Sequence, residues 1–162
     1  MENMRHTISA LVENRSGVLA KISGLFSARG YNIDSLAVGA TESQDVSRMT
    51  IVVRGDENVL EQVTKQLNKL PDVITVKDFK GMDIVQRDLM IVRVAADKKA
   101  RPEIMEIAGI FRAKIVDVAQ DTVMIEVTGD ENKLEAFIEL MKPYSIKDLA
   151  RTGVIALERG GK

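Results

Sequence analysis

The sequence predicts an α+β protein made of two tandem units, each with the element order βαββαβ. Three observations lead to this prediction. Short stretches alternate between apolar and polar residues, as half-buried strands do. Longer stretches between them repeat apolar residues at helical spacing, and part of the sequence occurs twice. The length of 162 residues is enough for two small domains.

The first unit is predicted to contain four strands, at residues 6–12, 31–38, 48–54 and 73–79. The first helix follows the first strand and should end at Gly30, since glycine readily adopts the left-handed conformation that terminates helices. A polar loop is expected at 39–47. Asp56 is the predicted N-cap of the second helix, and Pro71 ends that helix because proline cannot continue it.

The second unit repeats this order, with predicted strands at 89–96, 115–119, 123–128 and 146–157. Pro102 suits the first turn of one helix, Asp130 caps the other, and Pro143 closes it. Gly153 should bend the last strand. The predicted division is a first domain at 1–79, a linker at 80–88 and a second domain at 89–162.

Each predicted unit packs two helices on one face of a four-stranded sheet, which is a ferredoxin-like sandwich. The other face of each sheet must then meet solvent, the other domain or another chain. The free edges of the sheets can also pair with a second strand. A dimer or larger assembly is therefore expected.

The internal repeat is visible in the residues themselves. Residues 49–61 align with 123–135 at an offset of 74, and both contain Gly-Asp-Glu-Asn-x-Leu-Glu. Gly24-Leu-Phe-Ser-Ala and Gly109-Ile-Phe-Arg-Ala align at an offset of 85, so the first copy is eleven residues longer between these points. Only the first copy has an Asn-x-Ser-Gly turn before its first helix. The second has a basic, glycine-free segment, 97–102. We therefore expect the two units to differ in function.

The turn that contains Asn14, Ser16 and Gly17 joins the first strand to the first helix. Such a turn directs unpaired backbone N–H groups and the positive end of the helix dipole at one point. A small carboxylate could bind there. The alternative is an ordinary turn with a capped helix, and geometry alone favours it because caps are much commoner than ligand sites.

Composition excludes several classes of function. The chain has no cysteine and a single histidine, His6, which leaves few options for a nucleophile, a general base or a metal ligand set. The net charge of −1 argues against nucleic acid and anionic membranes. The predicted strand 48–54 also lacks the aromatic residues that an RNA-recognition module stacks against bases. The first residues lack the apolar core of a signal peptide, and no apolar stretch is long enough to span a membrane. We expect a cytoplasmic, non-catalytic protein that binds no metal.

Five segments, 13–19, 24–36, 47–51, 60–67 and 151–154, carry a family resemblance. They resemble an ACT domain, and more specifically the small, regulatory subunits of acetolactate synthase. The resemblance implies a homodimer that activates a large catalytic subunit and makes it sensitive to branched-chain amino acids, above all valine. The large subunit would use thiamine diphosphate, Mg and FAD, whereas this chain would bind no cofactor.

The resemblance also implies an effector site shared by two chains. One chain would contribute the turn residues Asn14, Ser16, Gly17, Val18 and Leu19, and its neighbour would contribute Asn32 and Ile33. Simple core packing is the alternative role for Val18, Leu19 and Ile33, and Asn32 could be only a turn residue. A different class of function is a free-standing amino-acid-binding regulator. Capture of a thiamine-dependent catalytic subunit would distinguish these two functions.

Overall fold

The computed structural model describes residues 4–160, which form two compact units. The first unit contains the described residues up to Val85 together with those from Val154 onward, and the second unit is Gln86–Gly153. The predicted division placed all residues from 89 onward in the second domain, so the two divisions differ for the residues from Val154 onward. Residues 1–3 and 161–162, at the ends of the predicted domains, lie outside the described residues.

The first unit contains β1 (Met4–Glu13), α1 (Val18–Arg29), β2 (Asn32–Ala40), β3 (Val46–Gly55), α2 (Glu57–Asn68) and β4 (Val73–Asp78). Its antiparallel sheet has the strand order β2-β3-β1-β4. The predicted polar loop is shorter than expected, because β2 and β3 both extend into it and leave only residues 41–45 outside the strands.

The core of this unit lies between one face of the sheet and the two helices. The alternating residues Ile8, Ala10 and Val12 of β1 are buried there, as the period-two pattern predicted. α1 ends at Gly30, whose φ of 68° is left-handed, as predicted. The Asp56 side chain accepts a hydrogen bond from the Val59 N–H at 3.0 Å, so Asp56 caps α2 as predicted.

The opposite face of the first sheet carries the C-terminal segment, residues 154–160. The Val154 N–H donates to Ser35 Oγ on β2 at 3.0 Å, and Glu158 pairs with Lys77 on β4 at 2.7 Å. Ser9, Thr50 and Val52, which lie on this face, are buried. This sheet face is therefore covered by residues that the sequence analysis assigned to the second domain.

The remaining elements are β5 (Ile84–Ala95), α3 (Arg101–Ile110), β6 (Lys114–Val118), β7 (Thr122–Gly129), α4 (Glu131–Met141), β8 (Ile146–Arg151) and β9 (Ile155–Glu158), with a 3-10 turn at Lys142–Tyr144. The second sheet has the order β6-β7-β5-β8, which repeats the order of the first. The Asp130 carboxylate accepts the Lys133 N–H at 2.9 Å and caps α4 as predicted. The predicted pair of ferredoxin-like α+β units is confirmed.

Two boundaries differ from the sequence prediction. β5 begins at Ile84, inside the predicted linker 80–88, and it also pairs with β9. The predicted last strand, 146–157, is two strands, β8 and β9. Gly153 lies between them with a left-handed φ of 89°, so the bend expected at this glycine is a complete break in the strand.

Asp88 stabilises the end of the second unit at this break. Its side chain is 2% exposed. One carboxylate oxygen accepts two bonds from the Arg151 guanidinium, at 2.8 and 3.0 Å. The other oxygen accepts from Thr152 Oγ1 at 3.0 Å and from the Gly153 N–H at 3.2 Å. The Arg-Thr-Gly sequence of the family resemblance thus forms one hydrogen-bonded cluster around a buried carboxylate.

Candidate functional site

The turn between β1 and α1 leaves the start of the helix open. Gly17 is the N-cap residue, with φ 88° and ψ −14°, and no side chain caps the described helix. The first intrahelical bond runs from the Lys21 N–H to the Gly17 carbonyl at 3.0 Å. Because the preceding N–H groups of a helix have no intrahelical acceptor, they remain available to an anion, which the helix dipole also favours.

Asn14 is held by the loop at residues 41–45. Its backbone N–H donates to the Asp45 carbonyl at 2.8 Å, and its Nδ2 donates to the Gln44 carbonyl at 2.8 Å. A carbonyl only accepts, so the side-chain amide must present its NH₂ group to Gln44. The Asn14 Oδ1 atom is thereby left as an acceptor for another group. The two features found only in the first repeat, the turn and the extra loop, contact each other at this residue.

An ion-pair cluster supports the turn from the side of β4. The buried carboxylate of Asp72 pairs with Arg15 at 2.6 Å and with Lys21 at 2.9 Å. The Lys21 ammonium, through its hydrogen bond, and the Arg15 guanidinium lower the pKa of Asp72 below its ordinary value, although burial acts in the opposite direction. Arg15 also pairs with Glu13. Asp72 was not predicted as part of the site, because no sequence motif connects it to a turn 57 positions away in the chain.

The apolar residues at the start of α1 have different environments. Val18 is 5% exposed and belongs to the core cluster, so core packing accounts for its side chain. Leu19 is 46% exposed, and its side chain is available to a ligand or a partner chain. Ser16 and Gly17 are exposed as well. The turn therefore combines open backbone N–H groups with one exposed aliphatic side chain.

Asn32 and Ile33 do not lie beside this turn in the same chain. Asn32 pairs with Arg54 on β3, and Arg54 pairs with Arg5 on β1. The turn instead follows Glu13, at the other end of β1. Eight residues of strand separate the two ends, which corresponds to about 26 Å at roughly 3.3 Å per residue. Asn32 is exposed, and Ile33 is half-buried against the core.

The corresponding position in the second unit is closed by the chain itself. The Asp97 carboxylate accepts the N–H groups of Lys99 and Ala100, at 3.0 and 2.7 Å. Arg101 donates to the carbonyl groups of Ala119 and Gln120 at 2.9 and 3.0 Å. The Arg101 N–H donates to the Asp97 carbonyl at 3.0 Å, and Pro102, the second residue of α3, has no N–H. Fewer N–H groups are therefore open to a ligand at the start of α3 than at the start of α1.

Two other kinds of feature are absent from the described residues. Within 4–160, no three His, Asp or Glu side chains come close enough together to hold a metal ion. No described helix is long and apolar enough to cross a membrane. His6 is buried, with Nε2 at 3.0 Å from the Gly55 carbonyl oxygen. The open helix start at Gly17, by contrast, presents backbone N–H donors to an anion.

The first unit combines a ferredoxin-like fold with an open helix start directly after its first strand, and this combination defines the class of domain. Residues 8–75 match the family described as the AHAS small subunit-like ACT domain, so the first unit is an ACT domain. Residues 87–160 match the family described as the small subunit of acetolactate synthase. The chain therefore belongs to the family of acetolactate synthase small subunits, and the resemblance found in the sequence is confirmed.

Relatives over the full length agree with this assignment. A probable acetolactate synthase small subunit from Archaeoglobus fulgidus is 57% identical over 98% of this chain and 99% of its own length. The acetolactate synthase small subunit from Bacillus subtilis is 51% identical, over 97% of this chain and 92% of its own. The crystal structure of the small subunit from Thermotoga maritima has a TM-score of 0.89 and 39% identity, and covers 96% of this chain and 98% of its own.

Proposed function

We propose that this chain is the regulatory subunit of an acetolactate synthase, acting in the cytoplasm. It activates a large catalytic subunit and makes that enzyme sensitive to feedback inhibition by branched-chain amino acids, foremost valine, in the biosynthesis of valine, leucine and isoleucine. The catalytic subunit uses thiamine diphosphate, Mg and FAD, while this chain carries no catalytic site and no cofactor. The observation that carries the proposal is the open helix start at Gly17, in a chain of this family.

The chemistry of a free amino acid fits the residues at this turn. Its carboxylate needs hydrogen-bond donors, which the first N–H groups of α1 supply. Its ammonium needs an acceptor, and the Asn14 Oδ1 atom is oriented to act as one because Nδ2 bonds the Gln44 carbonyl. Its branched side chain needs an apolar surface, for which Leu19 is exposed. Ser16 supplies a further hydroxyl beside these groups.

The second half of the site comes from a neighbouring chain. β2 is an edge strand of the first sheet, and an exposed edge can pair with the same strand of a second copy. If two β2 strands pair antiparallel, Asn32 of one chain approaches the Ala40 end of the other. Ala40 pairs with Ser47, and Ser47 pairs with Val12, which precedes Glu13 and the turn. This pairing supports a homodimer with an effector site at the junction, completed by Asn32 and Ile33.

Asn32→Ala is expected to weaken valine binding by about tenfold or more, because a lost hydrogen bond to a charged group costs about 1.5–3 kcal/mol. Calorimetric titration of the full-length variant with valine measures the change. Sedimentation of the same samples should show a dimer for both the wild-type chain and the variant. Unchanged affinity would make Asn32 a turn residue, and a monomeric wild-type chain at micromolar concentration would contradict the two-chain site.

Reconstitution tests the proposed function as a whole. The chain is used to capture its partner from the native cell, and acetolactate formation is measured with and without the chain across a valine titration. We expect a thiamine-dependent enzyme to be captured, its activity to rise with the chain and to fall with valine. Binding of valine without capture of such an enzyme would favour the free-standing regulator, and acetolactate formation by the chain alone would overturn the regulatory assignment.

A further inference from the structure

Asp72 lies outside the turn but contacts it on both sides. It follows Pro71 in the connection between α2 and β4, and it is 6% exposed. Its backbone carbonyl accepts the Glu13 N–H at 2.8 Å, immediately before the turn. Its two carboxylate oxygens accept from Arg15 at 2.6 Å and from Lys21 at 2.9 Å. One residue thus bonds the end of β1, the turn itself and the first turn of α1.

The charges of this cluster cancel. Glu13 and Asp72 carry two negative charges, and Arg15 and Lys21 carry two positive ones, so the cluster adds no net charge beside the open helix start. A free amino acid is also a zwitterion without net charge. Long-range attraction between the cluster and such a ligand is therefore small. The cluster instead holds the turn in one backbone conformation, because charge-assisted hydrogen bonds to a buried carboxylate are directional.

In the second unit, the corresponding connection between α4 and β8 has no aspartate at this position. Pro143 is followed by Tyr144, whose hydroxyl donates to Glu103 at 2.8 Å. Glu103 lies in the first turn of α3. The carbonyl of Ser145, which corresponds to Asp72 by strand register, accepts the Ala95 N–H at the end of β5 at 3.0 Å. The strand end and the helix are thus bonded by two different residues in this unit. The arrangement that spans the whole turn is found at Asp72, in the unit with the open helix start.

From this geometry we propose that Asp72 is a positioning residue for the effector turn. It does not contact the ligand. It holds Glu13, Arg15 and Lys21 so that the N–H groups at the start of α1 and the Asn14 side chain converge on one small carboxylate-bearing ligand. The proposal rests on the effector site described under the proposed function, and it adds the residue on which the geometry of that site depends.

The test is Asp72→Asn in the full-length chain. This change keeps the size of the side chain and removes its charge. We expect valine affinity to fall by about fivefold or more, the lower end of typical coupling between separate sites. The amide hydrogens of Asn14, Arg15 and Lys21, which are bonded within or beside the turn, should exchange about tenfold faster without ligand. Calorimetry measures the affinity, and NMR-detected hydrogen exchange measures the turn.

The matched control is Asp56→Ala, which removes the N-cap of α2 in the same unit. It weakens folding of that unit without touching the turn, so it should leave valine affinity and the three exchange rates near their wild-type values. The double variant Arg15→Gln/Lys21→Gln removes the same ion pairs by replacing the two cations instead of the carboxylate. If Asp72 acts through these cations, the losses of affinity from Asp72→Asn and from the double variant should not add.

The outcomes separate the proposal from the function on which it rests. Wild-type affinity in Asp72→Asn, or an equal loss in Asp56→Ala, overturns the positioning role. If Asp72→Asn does not fold, the Arg15→Gln/Lys21→Gln variant decides by the same two measurements. If the wild-type chain binds no valine, the proposed effector fails, and the exchange rates still decide whether Asp72 orders the turn.

Discussion

Gly17→Asp is expected to abolish inhibition by valine while the chain still folds, dimerises and activates its catalytic partner. The new carboxylate would occupy the positive end of α1, where the carboxylate of the effector is proposed to bind. Like charges brought together in this way oppose binding strongly. We expect the valine concentration for half-inhibition of the reconstituted enzyme to rise by at least about tenfold, which corresponds to about 1.4 kcal/mol.

The structure indicates that the fold tolerates this change. A Cβ atom added at Gly17 would meet no other heavy atom within 4 Å, so there is space for a side chain. The φ of 88° is left-handed, which costs an ordinary residue roughly 1–2 kcal/mol, and aspartate accepts this region better than most residues. Against that cost, an acidic side chain at a helix N-terminus stabilises by about 0.3–1 kcal/mol.

Gly17→Asn is the matched control, because it has the same size and the same backbone strain without the charge. It should shift the valine response much less than Gly17→Asp does. Acetolactate formation across a valine titration measures both variants. Wild-type inhibition in Gly17→Asp would place the effector elsewhere. Loss of activation together with inhibition would mean that Gly17 serves the fold or the contact with the catalytic subunit.

Asp88→Ala is expected to lower the free energy of unfolding by about 2–4 kcal/mol, because it leaves buried donors without an acceptor. The guanidinium of Arg151, the Thr152 hydroxyl and the Gly153 N–H all donate to this carboxylate. The Arg151 side chain is 31% exposed and can partly regain water, which keeps the loss below that of a fully buried pair. Urea unfolding of the full-length chain measures the change.

Glu135→Gln provides the control for this second variant. Glu135 is the other carboxylate near Arg151, at 3.4 Å, and its side chain is 53% exposed. Exposed ion pairs contribute little, so this substitution should change the free energy of unfolding by no more than about 0.5 kcal/mol. If Asp88→Ala were as mild as Glu135→Gln, the buried cluster would not hold the end of β8 and the Thr152–Gly153 segment to β5.

Much of the fold could be predicted because the relevant interactions are local. Asp56 and Asp130 each accept an N–H three residues further along the chain, so a short sequence window contains the whole interaction. Gly30 ends α1 for an equally local reason, the left-handed conformation of one residue. Alternating burial along β1 also follows from neighbouring residues alone. The repeat extended two of these inferences, the aspartate cap and the alternating strand, to the second unit.

The candidate site was predicted only in part. The turn residues and the open helix start were identified from the sequence, since strand, turn and helix are contiguous. The contact between Asn14 and the loop at 41–45 was not predicted, although the extra length of the first repeat pointed to that loop. The position of Asn32 at the far end of the sheet depends on strand register, which a bulge between Ile33 and Ser35 also shifts.

The sequence by itself determined the class of fold, the tandem repeat, the helix caps and the turn that sets the first unit apart, because each depends on residues close together in the chain. The tertiary structure decided three contacts between distant residues. Arg15 meets Asp72 across 57 positions, Arg151 meets Asp88 across 63, and Val154 meets Ser35 across 119. Periodicity and capping preferences do not encode such contacts, since they arise only when sheet register and packing bring the segments together.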